Sequence, residues 1–180
     1  MQEAHVEAEV RLAQQGSREA FAGLIRHYEG IMYRVAKSIL KQDVDCADAI
    51  QETILKAYRQ LHTLRDPKLF KAWLMRILVN QCRTILKAQK RMIPTVELVE
   101  RSATNDGYQE VEIREMVDAL HEELRVVITL YYLQDIPVKQ IAQILDQPEG
   151  TIKSRLSRAR TELSRMLGLK KKGESMHESL

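Results

Sequence analysis

The feature that most limits how this chain can fold is a spacing. Phe21, Leu24, Ile25, Tyr28, Met32, Val35, Ala36, Ile39 and Leu40 return every three or four positions. A helix with 3.6 residues per turn brings such positions onto one face, whereas a strand would scatter them over both. Ser17 stands just before this run. Its hydroxyl can accept from an orphan N–H of the first turn, so it is predicted as the N-cap.

The same spacing governs most of the sequence. Val6, Val10 and Ala13 predict a helix over 3–15, ended by Gly16 and Ser17. Asp43 or Asp45 caps a third helix, with Ala47, Ile50, Ile54, Leu55, Tyr58 and Leu61 predicted to face inward. The loop HTLRDPK follows. A fourth helix then runs from near Lys68 to about Lys90 on Phe70, Trp73, Leu74, Ile77, Leu78, Ile85 and Leu86. Trp73 lies on that stripe and is expected to pack as a core anchor. Composition agrees: Gly 7 and Pro 4 in 180 residues leave few helix breakers.

The periodicity fails once, over 93–110, where IPTVELVERSATNDGYQE gathers Pro, Ser, Thr, Asn, Asp and Gly. It resumes at Val111, Ile113, Met116, Val117 and Leu120. A further helix is predicted over 122–133. The expected fold is therefore all-α: a first helical domain over 1–92, a flexible linker over 93–110, a second helical domain over 111–169, and a polar tail over 170–180, expected to fray. A coil of the linker's length spans roughly 25 Å root-mean-square, enough for two domains to act at two places.

The segment PVKQIAQILDQPEGTIKSRLSRARTEL, 137–163, carries the strongest local signal. Val138, Ile141, Ala142 and Leu145 form one short apolar face, and Ile152, Leu156, Ala159 and Leu163 form another. Between them, Pro148 fits the first turn of a following helix, because it needs no intrahelical N–H there. Glu149 suits that helix's positive end. Two short helices, a tight turn and a small residue where they cross make a helix-turn-helix. Asp146 occupies the turn position that commonly holds Gly, and Asp tolerates the left-handed backbone better than most residues.

With Ile152 and Leu156 inward, Thr151, Lys153, Ser154, Arg155, Ser157 and Arg158 face outward or along the flanks. From Gly150 to Lys172, Lys153, Arg155, Arg158, Arg160, Arg165 and the lysines at 170–172 oppose Glu162 alone. A solvated amphipathic helix usually mixes signs, so this imbalance favours nucleic-acid contact. Arg can pair with guanine edges, while Ser, Thr and Lys hold phosphates. A second stripe lies on the fourth helix, where Arg76, Asn80, Arg83 and Lys87 recur at helical spacing. By contrast, Asp43, Asp45, Asp48 and Glu52 form a run with no base among them. Such acids can meet a basic protein partner, or can simply suit a helix N-terminus.

Other function classes find little support. Cys46 and Cys82 are far apart in sequence with no zinc spacing, so no metal site is indicated and two reduced, helix-buried thiols are expected. The histidines, His5, His27, His62, His121 and His177, are scattered. No phosphate-binding Gly loop and no activated nucleophile are present. The chain is read as no enzyme, with no cofactor and no small-molecule substrate. The N-terminus is not a signal peptide and no apolar run approaches a bilayer span, so a cytoplasmic location is expected.

ADAIQETILKAYRQL and FKAWLMRILVNQCRTILKAQKR resemble regions 2.2 to 2.4 of bacterial sigma factors of the extracytoplasmic-function class (ECF, group IV) of the sigma-70 family. LYYLQDIPVKQIAQILDQPEGTIKSRLSRAR resembles their region 4. With the helix around 21–40, the resemblance covers about 17–167. It implies a transcription initiation factor that binds core RNA polymerase, directs it to −35 and −10 promoter elements and helps open the DNA.

On this resemblance the helix over 45–61 meets core polymerase through Asp48, Gln51, Glu52 and Leu55. Arg76, Asn80, Arg83 and Lys87 read the −10 element. The loop containing Leu64, Arg65, Asp66 and Lys68 captures a base flipped from the non-template strand, and the helix after Pro148 reads the −35 element. It also implies an anti-sigma factor as a further partner, often membrane-anchored, which would hold the protein near the membrane. Thr84 departs from the family pattern, where Asp is frequent, as does Asp146. A stand-alone helix-turn-helix regulator, dimerising through its N-terminal helices, is the alternative.

Overall fold

The computed structural model of the chain describes residues 3–92 and 115–177, so the predicted linker over 93–110 and the helix start at Val111 and Ile113 lie outside the described residues. Helix α1 spans Glu3–Gln14 and buries Val6 and Val10. Gly16 at φ +102 turns the chain back, a left-handed backbone that suits glycine. Helix α2 spans Arg18–Ile39, and Ser17 caps it as predicted, its Oγ accepting from Ala20 N at 3.2 Å. Its buried face holds Phe21, Leu24, Tyr28, Met32, Val35, Ala36 and Ile39.

Helix α3 spans Asp43–Gln60 and packs against α2 and against α4, which spans Phe70–Met92. Here the sequence reading needs correction. The buried residues of α3 are Cys46, Ala49, Thr53 and Ala57, while Ala47, Leu55 and Tyr58 are exposed. The helix is pressed between two neighbours, so its inner face takes small side chains. Thr53 can be buried because its Oγ1 donates to Ala49 O at 2.6 Å. Two 3₁₀ turns, Leu61–Thr63 and Pro67–Leu69, link α3 to α4. Trp73 is half-buried beside Phe70, at a ring separation of 5.9 Å.

The C-terminal half begins with a short helix, α5, over 115–119. Helix α6 spans Glu122–Ile128 and continues as a π-helical turn over Thr129–Leu133. Asp135 then takes φ +50, and Ile136 N donates back to Leu130 O. Helices α7, Val138–Leu145, and α8, Glu149–His177, form the predicted helix-turn-helix. Asp146 adopts φ 53 and ψ 52, the left-handed conformation expected of the turn. Ala142 O accepts from the N–H groups of both Asp146 and Gln147 there, so the turn satisfies one of the carbonyls in α7's last turn.

Pro148 stands one place before α8, with its carbonyl accepting from Thr151 and Ile152. The helix runs past the predicted domain end at 169 to His177, through the stretch expected to fray. Leu163 and Met166 hold it against the core, and no proline follows to stop it.

The two halves are not separate in space. Their buried residues form one continuous apolar cluster, with α4 against α7 and α2 against α6. Among the described residues, three cations cross the seam and donate to backbone carbonyls near helix ends. Arg83 Nη2 reaches Leu145 O at 3.0 Å, Arg125 Nε reaches Ser38 O at 2.7 Å, and Lys71 Nζ bonds Gln134 O. Each meets the partial negative charge that gathers where a helix stops.

Candidate polymerase and nucleic-acid interface

The outer face of α3 follows directly from its inner one. Because the small residues turn inward, Asp48, Gln51, Glu52 and Leu55 all stand in solvent. Leu55 is 44% exposed, and Val44 and Tyr58 are 72% and 52% exposed on the same helix. The acidic run divides. Asp43 accepts from Lys37 at 2.5 Å and Tyr33 at 3.0 Å, and these bonds hold its carboxyl below the usual range. Asp45 accepts from Gln89 at 2.7 Å. Asp48 and Glu52 have no partner among the described residues. The helix-dipole explanation thus suits Asp43 and Asp45, in the first turn, better than Asp48 or Glu52.

The loop between α3 and α4 is tied at both ends. Leu64 is buried, whereas Arg65, Asp66 and Lys68 are exposed. Asp66 caps the second 3₁₀ turn, accepting from Lys68 N at 3.0 Å. Gln14, at the end of α1, donates through Nε2 to Leu61 O at 3.1 Å and Leu64 O at 2.7 Å. Sequence reasoning missed Gln14. A polar residue at a helix end carries no periodic signal.

On α4, Arg76, Asn80 and Lys87 are exposed, and Leu74, Met75, Leu78, Val79 and Cys82 are buried behind them. Arg83 shares their stripe but is half-buried and spends a donor on Leu145 O. Thr84 is exposed with its hydroxyl on Asn80 O at 2.9 Å, so it offers no carboxylate to this face.

On α8, Ile152, Leu156 and Ala159 are buried, and Lys153, Ser154, Ser157 and Arg158 face solvent. Thr151 is half-buried at the helix start. Arg155 is also half-buried, and its Nη2 pairs with Glu123 Oε2 at 2.8 Å. That pair braces α8 against α6, which leaves Arg155 less free than Arg158.

Burial pushes both thiols up, Cys46 to about 11 and Cys82 to about 12, so neither is a reactive thiolate. No group of three or more His, Cys, Asp or Glu among the described residues could hold a metal ion. None of the described helices is long and apolar enough to cross a membrane.

Comparison with known proteins bears on both halves. Residues 24–92 match the family model Sigma-70 region 2, and residues 110–163 match Sigma-70, region 4. The chain is 31% identical over 172 residues to the ECF RNA polymerase sigma-E factor of Haemophilus influenzae, covering 86% of this chain and 90% of that protein. It is 32% identical over 131 residues to the RNA polymerase sigma factor SigV of Bacillus subtilis, covering 71% and 78%. Among solved structures it is similar in fold to the sigma factor RpoE of Bartonella quintana, bound there to the anti-sigma factor NepR. The TM-score is 0.70 at 23% identity, over 82% of this chain and 96% of that one. A match to region 2 in the N-terminal half does not favour the reading of those helices as a dimerisation unit.

Proposed function

Because this chain belongs to the ECF sigma factors of the sigma-70 family, and so is a transcription initiation factor that brings core RNA polymerase to promoters, we propose a two-point grip on the DNA with polymerase between the points. The N-terminal domain, 1–92, binds core polymerase and the −10 element. The C-terminal domain, 111–169, binds the −35 element, and 93–110 links them. Two weakly binding domains become effective together when one partner fixes their spacing.

Asp48, Gln51, Glu52 and Leu55 form the polymerase contact. Two unpaired acids beside an exposed leucine suit a basic protein surface with an apolar spot, and their charge repels DNA. Arg76, Asn80 and Lys87 track the separated −10 strand, with Asn80 able to pair with a base edge. Leu64, Arg65, Asp66 and Lys68 form the pocket for the flipped base. Flipping costs a few kcal/mol, which contacts in the pocket must return. Thr151, Lys153, Ser154, Ser157 and Arg158 meet the −35 major groove. Arg155 sits at the flank of that surface, where its pair with Glu123 sets the angle of α8. Arg83 joins the −10 surface only when α7 moves off α4.

The protein works in the cytoplasm and has no catalytic chemistry of its own. An anti-sigma factor, anchored in the membrane in many such systems, holds the two domains together.

The observation that carries this reading is the exposed face of α8, basic and hydroxyl-rich opposite a wholly apolar inner face. Transcription by the reconstituted holoenzyme from templates with each −35 base changed tests it. Arg158→Ala is expected to lose discrimination at one −35 position by ~1–3 kcal/mol. Unchanged preference in Arg158→Ala and Lys153→Ala alike would refute the placement.

A further inference from the structure

Helix α1 lies outside the stretch matched by the region 2 family model, yet it reaches the loop between α3 and α4. The contact is specific. Gln14 Nε2 has two N–H groups and two acceptors in reach, Leu61 O at 3.1 Å and Leu64 O at 2.7 Å. These carbonyls flank the first 3₁₀ turn, and Leu64 N also bonds Leu61 O. Among the described residues these are the only hydrogen bonds that tie the loop to a distant part of the chain.

The remaining fixings are local. Leu64 is buried, and Asp66 caps the turn ahead of α4. Between buried Leu64 and the turn that starts at Pro67 stand only Arg65 and Asp66, both exposed. Helix α1 is itself held firmly, by buried Val6 and Val10 and by the turn at Gly16. Gln14 therefore transmits the position of a packed helix to the start of a short exposed loop.

We propose that Gln14 is a positioning residue for base capture: by holding the carbonyls of Leu61 and Leu64 it fixes where Arg65 and Asp66 stand, and so which base the loop accepts. The inference rests on the reading of this loop as the flipped-base pocket. A loop that reads a base must hold its donors and acceptors to a fraction of an ångström, and residues that lock the supporting backbone decide whether it can.

The test uses holoenzyme and single-stranded −10 oligonucleotides carrying each of the four bases at every position, read by fluorescence anisotropy. Gln14→Glu keeps the shape, removes both donors and sets a carboxylate against two carbonyls. Gln14→Arg keeps two donors on a longer arm. Gln14→Met removes the polar group without adding charge, and it serves if the Glu variant folds poorly. Arg65→Ala and Asp66→Ala probe the loop itself.

Gln14→Glu and Gln14→Met are expected to compress the preference at one position by about threefold to tenfold, the range of one hydrogen bond between the loop and the base. That position should be the one that responds to Arg65→Ala or Asp66→Ala. Preferences elsewhere and core polymerase affinity should hold, and Gln14→Arg should restore part of the preference. If the loop variants flatten a position and the Gln14 variants do not, the role of Gln14 is overturned while the pocket stands. If Gln14 variants weaken all oligonucleotides equally, the contact is structural only and the proposal fails. If no variant in either set flattens any position, the pocket reading fails and the role of Gln14 fails with it.

Discussion

Replacing Asp146 isolates the energetics of the helix-turn-helix turn. Its backbone sits at φ 53, where the Cβ of an L-residue crowds the following carbonyl. The side chain is exposed, and its carboxylate makes no hydrogen bond among the described residues. Changes in stability at this position therefore report the backbone rather than a lost contact.

Glycine removes a strain of about 1 kcal/mol, but its extra freedom when unfolded returns roughly 0.5–1 kcal/mol. Asp146→Gly should therefore fall within about 0.5 kcal/mol of wild type. Alanine has no polar side chain to ease the left-handed region, so Asp146→Ala should cost about 1 kcal/mol. A β-branched residue suffers most, and Asp146→Val should cost about 2 kcal/mol. Urea denaturation followed by circular dichroism, with midpoints compared at constant slope, gives the ordering. Equal midpoints for the Gly and Val variants would mean that the residue is not left-handed in solution, and the form of the turn between α7 and α8 would fall with it.

The inner and outer faces of α3 should separate stability from function. Ala57→Leu overfills a closed site and should cost about 1–3 kcal/mol, whereas Leu55→Ala should leave the urea midpoint nearly unchanged and weaken core polymerase pull-down; the reverse pattern would restore the inward leucine. Cys46 and Cys82, buried and raised to about 11 and about 12, should resist a thiol reagent at pH 8 in the folded protein and react together on unfolding. Rapid labelling of either thiol in the native state contradicts this. Gln134 is buried with its Nε2 unpartnered among the described residues, so Gln134→Leu should stabilise the protein by about 1 kcal/mol, measured by thermal unfolding; a loss of stability would show that the amide has a partner.

Local pattern carried much of the fold. The 3–4 spacing located α1, α2, α4 and α7 within a few residues and placed the start of α8 but not its end, and the Ser17 cap and the left-handed Asp146 followed from side-chain chemistry. What escaped was set by neighbours. On α3, large apolar residues suggested the inner face, but close packing selected Ala49, Thr53 and Ala57 instead and put Leu55 and Tyr58 outside. The π-helical turn and the left-handed Asp135 leave no periodic mark.

Candidate-site residues were legible as types on a face, as with Arg76, Asn80 and Lys87. Their present engagements were not. Arg83 and Arg155 look like their exposed neighbours in the sequence, and only the fold shows one on Leu145 O and the other on Glu123. The bond from Gln14 joins residues 47 and 50 positions apart, a separation no local pattern can encode.

The two-point grip is tested most directly by run-off transcription with core RNA polymerase on genomic fragments, with and without this protein. New transcripts should appear only when it is added. Their start sites should share two sequence blocks at constant spacing, and inserting five base pairs between the blocks should abolish the product. Transcripts that do not depend on the protein, or starts that share a single palindromic block and tolerate the insertion, would contradict it.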